Sequence, residues 1–182
     1  MKSIRLLFLA SLTLSIAALS ARPSPAQAGS GAPAPATGIA WRAWDRGIEE
    51  SRATGRPVLV DVSTDWCGWC KRMKADVYTK PEVRDYLEDH FVMIELNAES
   101  SDPARYEGKA YTSRSLAARF GVSGYPTTVF LRSGGDHLVS VPGYLESARF
   151  LQVLRYIGDG YMEKGVSFQD FTKQSAPAAP RR

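Results

Sequence analysis

The sequence predicts an α/β domain with a mixed central β-sheet flanked by helices on both faces. Three observations carry that expectation. Two short runs, Pro57–Ser63 and Phe91–Leu96, are almost wholly apolar, as strands buried on both faces are. Two β-rich runs, Thr127–Leu131 and His137–Val141, flank Ser133-Gly134-Gly135-Asp136, the composition of a hairpin turn. Stretches with helical apolar spacing separate and follow these runs, so strand, helix, strand, helix, hairpin and helix succeed one another.

At the start of the chain, Lys2 and Arg5 precede an apolar run from Leu6 to about Leu19, and Ala26-Gln27-Ala28 offers small residues two apart. This is the pattern of a secretory signal peptide over residues 1–28, cut at Ala28/Gly29, with Ala21/Arg22 as the alternative cut. The apolar run is shorter than the ~20 residues that span a bilayer, and no later segment is apolar enough to do so, so no stable membrane insertion is expected. Removing Lys2, Arg5 and Arg22 with the signal takes the formal net charge from +4 to +1. No basic stripe is left that would suit nucleic acid. Residues 29–38 form a Pro/Ala/Gly linker and residues 175–182 a similar tail, both expected to be disordered because they have little to bury. One domain, residues 39–174, is expected between them.

Within that domain, Trp41–Trp44 is expected as a short strand leading into a helix near Asp45–Thr54, which Gly55 stops. The first buried strand, Pro57–Ser63, comes next. A helix follows the cysteines, and Pro81 suits a break or the first turn of the next helical piece. The second buried strand is Phe91–Leu96. Residues 98–112 lack periodicity and carry Pro103 and Gly108, so they are expected as a surface insertion, longer than usual connections and placed to shape partner choice. Ser113–Phe120 reads as a helix ending at Gly121. After the hairpin, Glu146–Gly158 sets Phe150, Leu151, Leu154 and Ile157 on one helical stripe.

The chain has two cysteines, Cys67 and Cys70. Haem attachment needs histidine directly after the second, where Lys71 stands. A structural zinc needs four ligands, yet His90 and His137, the two histidines, lie far apart in sequence. A purely structural disulfide suits an oxidising compartment, but so small a loop removes little unfolded-chain entropy. A redox couple suits the placement better. After a buried strand and at the opening of a helix, unpaired N–H groups and the helix dipole favour the Cys67 thiolate, the nucleophile of disulfide exchange. On this reading Cys67 is partly exposed and Cys70, one turn inside, is mostly covered.

Further motifs follow in order. Val58-Leu59-Val60-Asp61 leads to Trp66-Cys67-Gly68-Trp69-Cys70-Lys71; then come Gly121-Val122-Ser123-Gly124-Tyr125-Pro126-Thr127 and Pro142-Gly143-Tyr144. On these motifs the segment from about Pro57 to Leu154 resembles the thioredoxin superfamily, and within it secreted bacterial members such as the C-terminal domain of the DsbD reductant conductor and SoxW-type proteins. The resemblance implies a thioredoxin-like fold whose redox-active disulfide, Cys67–Cys70, needs no other cofactor. It implies that Pro126 is cis and holds Tyr125 and its backbone opposite Cys67, where an extended substrate strand can pair. Trp66, as a rigid wall, and Trp69 complete the expected substrate surface. Asp61 corresponds to the family's buried carboxylate; desolvation raises the pKa of such a group and lets it take the proton from Cys70. The histidines fall outside these motifs and are read as non-catalytic.

This chain departs from thioredoxin itself at two positions. Trp69 replaces a proline, which should alter the reduction potential. Glu95 stands where many thioredoxins place a lysine beside the buried aspartate, so either a like charge neighbours Asp61 or Glu95 turns to solvent on the other side of its strand. The function expected is an exported, periplasmic or secreted, monomeric thiol–disulfide oxidoreductase that reduces or isomerises protein disulfides. Its partners would be protein disulfides or thiols and a membrane electron donor. A net oxidant is the enzymatic alternative, and a module holding Cu(I) between two thiolates the non-enzymatic one.

Overall fold

The computed structural model describes residues 38–175. The expected signal peptide, most of the linker and the tail beyond residue 175 lie outside them. In chain order the elements are α1 (Trp44–Thr54), β1 (Val58–Ser63), α2 (Gly68–Asp76), α3 (Pro81–His90), β2 (Val92–Asn97), β3 (Pro103–Tyr106), β4 (Lys109–Thr112), α4 (Ser113–Arg119), β5 (Thr127–Leu131), β6 (His137–Pro142), α5 (Ser147–Gly158) and α6 (Phe168–Ser175). Four strands form the main sheet in the order β2-β1-β5-β6. β1 runs parallel to β2 and antiparallel to β5, which pairs antiparallel with β6. The sheet is therefore mixed, with helices on both faces, a thioredoxin-like α/β fold. Among the described residues no helix is long and apolar enough to cross a membrane.

β1 lies inside the sheet and all six of its residues are buried, which explains its nearly continuous apolar sequence. Its side chains alternate between two core layers. Val58, Val60 and Val62 join Ile48 of α1 and Leu116 of α4. Leu59 joins Met73 of α2, Leu87 of α3 and Leu154 of α5. Asp61 shares the parity of Leu59, so the strand aims its carboxylate into the layer that contains α2. β2 repeats the division, with Ile94 in the first layer and Met93 in the second. Glu95 therefore falls on the Asp61 side, and the two are register partners.

Local chemistry fixes how the helices meet this sheet. A Cβ at Gly47 would lie 2.3 Å from Ile94 Cγ1, so glycine is what lets α1 settle this closely on β2. Pro81 occupies the first turn of α3, where its missing N–H costs nothing. α4 opens with a capping box: the Thr112 hydroxyl accepts from Ser115 N, and the Ser115 hydroxyl accepts from Thr112 N.

Two expectations need correction, and one helix lies outside them. The strand expected at Trp41–Trp44 is a single bridge between Arg42 and Ile94. Residues 98–112 are not an irregular insertion, because β3 and β4 pair there as an antiparallel hairpin with Ala104 and Tyr106 buried. Its two turn residues, Glu107 and Gly108, have φ of 49° and 74°. Glutamate is an uncommon choice for a left-handed turn position, and four-residue strands are too short for their alternation to stand out in the sequence. α6 has no counterpart in the sequence pattern. It is fixed by aromatic contacts distant in sequence, Phe171 lying 5.5 Å from the ring of Tyr156 and 4.8 Å from that of Tyr161.

Candidate active site

Cys67 is the N-cap of α2, in extended backbone, and its sulfur accepts a hydrogen bond from Cys70 N at 3.1 Å. That N–H belongs to the first turn, which has no partner within the helix, so the helix end itself stabilises negative charge on the sulfur. Cys67 and Cys70 are joined in a disulfide with Cα atoms 5.3 Å apart. The expected difference in exposure is absent in this oxidised form, since Cys67 is 4% and Cys70 3% exposed. The bond draws both sulfurs against the first turn. Exposure passes instead to the flanking indoles of Trp66 and Trp69.

These indoles form a rim with residues from the far end of the sheet. Trp66 meets Tyr125 edge to face at 5.9 Å between ring centroids. The Tyr125–Pro126 bond is cis, and Pro126 O accepts from Gly143 N at 2.8 Å, which ties this loop to the chain just after β6. Trp69 packs on Tyr144 at 5.4 Å, and the Arg72 guanidinium lies over both rings at 5.4 and 5.9 Å. A groove of about 410 Å³ runs between Trp69, Arg72, Tyr144 and Arg149. The structure thus brings Trp66 to Tyr125 and Trp69 to Tyr144, two separate aromatic pairs.

Asp61 forms the floor. Its Oδ1 accepts from the hydroxyl of Tyr78, itself fully buried, at 3.1 Å. Its Oδ2 has no hydrogen-bond partner among the described residues, and Lys74 Nζ lies 3.9 Å from it. Burial pushes the Asp61 carboxyl up to about 6; Lys74 and the Tyr78 hydrogen bond pull it down, and Glu95 pushes it further up. Tyr78 is held well above its ordinary value by the same burial and by the carboxylate beside it. Glu95 faces this group rather than the opposite side of its strand, and it is paired with Lys74.

Lys74 and Tyr78 were not legible as site residues. Lys74 carried one signal: it follows Cys70 by four positions, hence lies on the same face of α2. Tyr78 carried none, since it reaches Asp61 through tertiary packing alone. Beside the disulfide a cleft of about 580 Å³ is lined by Cys70, Lys71, Lys74, Glu95 and Asn97 among others. The histidines have other partners, His90 stacking on Tyr86 at 3.9 Å and His137 on Phe120 at 5.3 Å.

Comparison with known proteins agrees with this geometry. The family model of the thioredoxin-like domain matches residues 44–158. The thiol:disulfide interchange protein DsbD of Ralstonia nicotianae is 33% identical over 113 residues, which are 61% of this chain and 17% of that protein. The chain therefore spans about a sixth of that relative's length. The disulfide bond reductase DsbH of Chlamydia pneumoniae is 26% identical over 128 residues, 70% of this chain and 76% of that protein. A thioredoxin-fold protein from Helicobacter pylori superposes with a TM-score of 0.59 at 28% identity, covering 66% of this chain and 80% of that one.

Proposed function

The chain belongs to the thioredoxin-like domain family, and we propose that it is an exported reductant or isomerase of protein disulfides. Its activity is thiol–disulfide oxidoreduction, and its redox-active centre is Cys67–Cys70. One observation carries the reading: the disulfide caps α2, and one turn beyond Cys70 that helix brings Lys74 to 3.9 Å from a buried carboxylate oxygen that has no hydrogen bond among the described residues. The reducing direction is supported by the Chlamydia pneumoniae relative, which is named a disulfide bond reductase.

In the reduced protein the Cys67 thiolate attacks one sulfur of a substrate disulfide. That S–S bond breaks, the other substrate sulfur leaves as a thiolate, and Cys67 is held in a mixed disulfide. Cys70 gives its proton to Asp61, and the new thiolate attacks the Cys67 sulfur. The Cys67–Cys70 bond forms, the bond to the substrate breaks, and the second substrate thiolate departs. Two protein thiols have been oxidised and one substrate disulfide reduced; the proton on Asp61 passes to solvent. Tyr125-Pro126 receives the extended substrate strand between the walls formed by Trp66 and Trp69. A membrane conductor returns two electrons to the disulfide, and the chain works as a monomer in the periplasm or outside the cell, after loss of its signal peptide. A SoxW-type placement, which none of the relatives above carries, is a narrower form of the same proposal.

The test is the reduction potential of Cys67–Cys70, measured by equilibration with glutathione buffers. A value near the about −270 mV of thioredoxin is expected for a reductant; one near about −120 mV would make the protein an oxidant and overturn the direction proposed.

A further inference from the structure

Deepening the mechanism just given, and resting on Asp61 as its proton acceptor, we propose that Lys74, held between Asp61 and Glu95, is a positioning residue that keeps the Asp61 carboxylate ready to receive the proton of Cys70.

The geometry comes from three elements. β1 supplies Asp61, buried, with Oδ1 committed to Tyr78 and Oδ2 without a hydrogen bond among the described residues. α2 supplies Lys74, one turn beyond Cys70, with Nζ 3.9 Å from Oδ2. β2 supplies Glu95, in register with Asp61 and paired with the same ammonium. One cation thus sits between two carboxylates, one buried and one half-exposed. The charged or titratable groups acting on Asp61 are Lys74 from α2, Tyr78 from the turn after α2 and Glu95 from β2. Across the other strand boundary β5 offers only the uncharged Thr128.

The charges act in opposite directions. An ammonium beside Asp61 favours the carboxylate, the form that can take a proton. Glu95 opposes this as a like charge, and that opposition outweighs what its pairing with the lysine adds. Lys74, Glu95 and Cys70 line the same cleft, so the ammonium beside Asp61 is also open to solvent on the side of Cys70. Resolution needs this carboxylate ionised just when Cys70 must lose its proton. The Lys74–Glu95 pair thereby sets the lowest pH at which the mixed disulfide resolves.

The test follows release of an insulin chain from the reduced full-length protein, in single turnover, from pH 5 to 9. Lys74→Met leaves Asp61 facing Glu95 without a cation, and the acid limb of release moves up by about one pH unit. At pH 6 release slows about fivefold, the loss in ionised carboxylate that such a shift produces. Glu95→Gln removes the opposing charge and moves the same limb down. Lys74→Arg restores the original limb. Both side chains reach solvent, so folding should survive each change, and equal urea midpoints at pH 7 would verify it. A purely structural role predicts slower release with no shift of the limb, or shifts of one sign in both variants; either result overturns the inference. Asp61→Asn separates this inference from the reading beneath it. If Asp61→Asn abolishes the limb while Lys74→Met and Glu95→Gln leave it in place, the inference alone falls. If Asp61→Asn keeps the limb unchanged, the proton-acceptor role falls and the inference with it.

Discussion

Around the disulfide, Trp66 and Trp69 stand 66% and 55% exposed, the two large hydrophobic side chains so open to solvent among the described residues. Inside, on the side of β1 that faces α2, lies Asp61, which is 1% exposed and the one charged side chain buried among those residues. The rim and the floor of one site thus invert the usual placement of apolar and charged groups. Neither inversion helps the isolated fold. Bare indoles gain their burial only when a partner covers them, and a buried carboxylate is desolvated at a cost that one hydrogen bond and a cation at 3.9 Å only partly offset. The rim makes sense if a protein docks there, and the floor makes sense if its charge changes during a reaction. Variants should therefore separate into those that alter docking and those that alter chemistry and stability.

The largest effects belong to the sulfurs between rim and floor. Cys67→Ser is expected to reduce insulin disulfides no faster than buffer and to trap no partner. Cys70→Ser should attack once and stop as a mixed disulfide, because the chain has no third cysteine to resolve it. Non-reducing gels read both outcomes, and full activity in Cys67→Ser would end the thiol mechanism. This pair also tests the asymmetry that the oxidised geometry does not display. If equal burial persisted after reduction, alkylation would label both thiols alike; the proposed roles require Cys67 to react first.

A change in the floor should slow catalysis and strengthen the fold together. Asp61→Asn can still accept from Tyr78 but cannot take a proton, so resolution should slow by about 10²-fold. Stability should move the other way. Folded, the carboxyl titrates at about 6, above its ordinary value of 3.8. The folded state therefore holds the proton more tightly, and well below the ordinary value of 3.8, where both states are protonated, ionisation imposes no penalty. As pH rises from about 4 to about 6 the folded protein loses stability relative to a chain without this group, and above that the loss is complete, at most about 3 kcal/mol. Urea unfolding of oxidised Asp61→Asn should thus show a gain at pH 7 that fades toward pH 4. A variant less stable than the parent at pH 7 would contradict the buried, penalised carboxylate.

How much of this contrast the sequence revealed depends on whether its parts lie along one stretch of chain. Asp61 could be placed because it interrupts an apolar run and strand parity fixes its direction. Cys67 could be placed because a strand end and a helix start converge on it. Glu95 could be narrowed to two orientations by its position in a strand, and the register with β1 chose between them. Lys74 and Tyr78 act on Asp61 through space. Only the four-residue step from Cys70 to Lys74 left a trace in the sequence, and a lysine on a helix face has too many ordinary reasons to be there. The same limit hid the β3–β4 hairpin and α6, whose short elements are held by Phe120, Tyr156 and Tyr161 rather than by their own periodicity.

The smallest effect expected is at the rim, and it sharpens the contrast most. Trp69→Ala removes a ring that packs at a tilt against Tyr144 and lies under Arg72, in a position already more than half exposed. Little burial is lost on folding, so urea stability should stay within about 0.5 kcal/mol of the parent. Trp69 stands between the cysteines, so the reduction potential is measured alongside the kinetics; where it is unchanged, the turnover number should hold. What changes is the surface offered to a protein substrate: KM for insulin reduction should rise about three- to tenfold, the size of one lost aromatic contact. Trp69→Phe, which keeps a ring over Tyr144, should recover most of that loss. A small aromatic disulfide that reaches Cys67 without spanning the groove should be reduced equally well by the parent and by Trp69→Ala. If Trp69→Ala instead lowered kcat for the small disulfide as strongly as for insulin, the indole would be acting on the sulfur chemistry, and the division between a docking rim and a reacting floor would not hold.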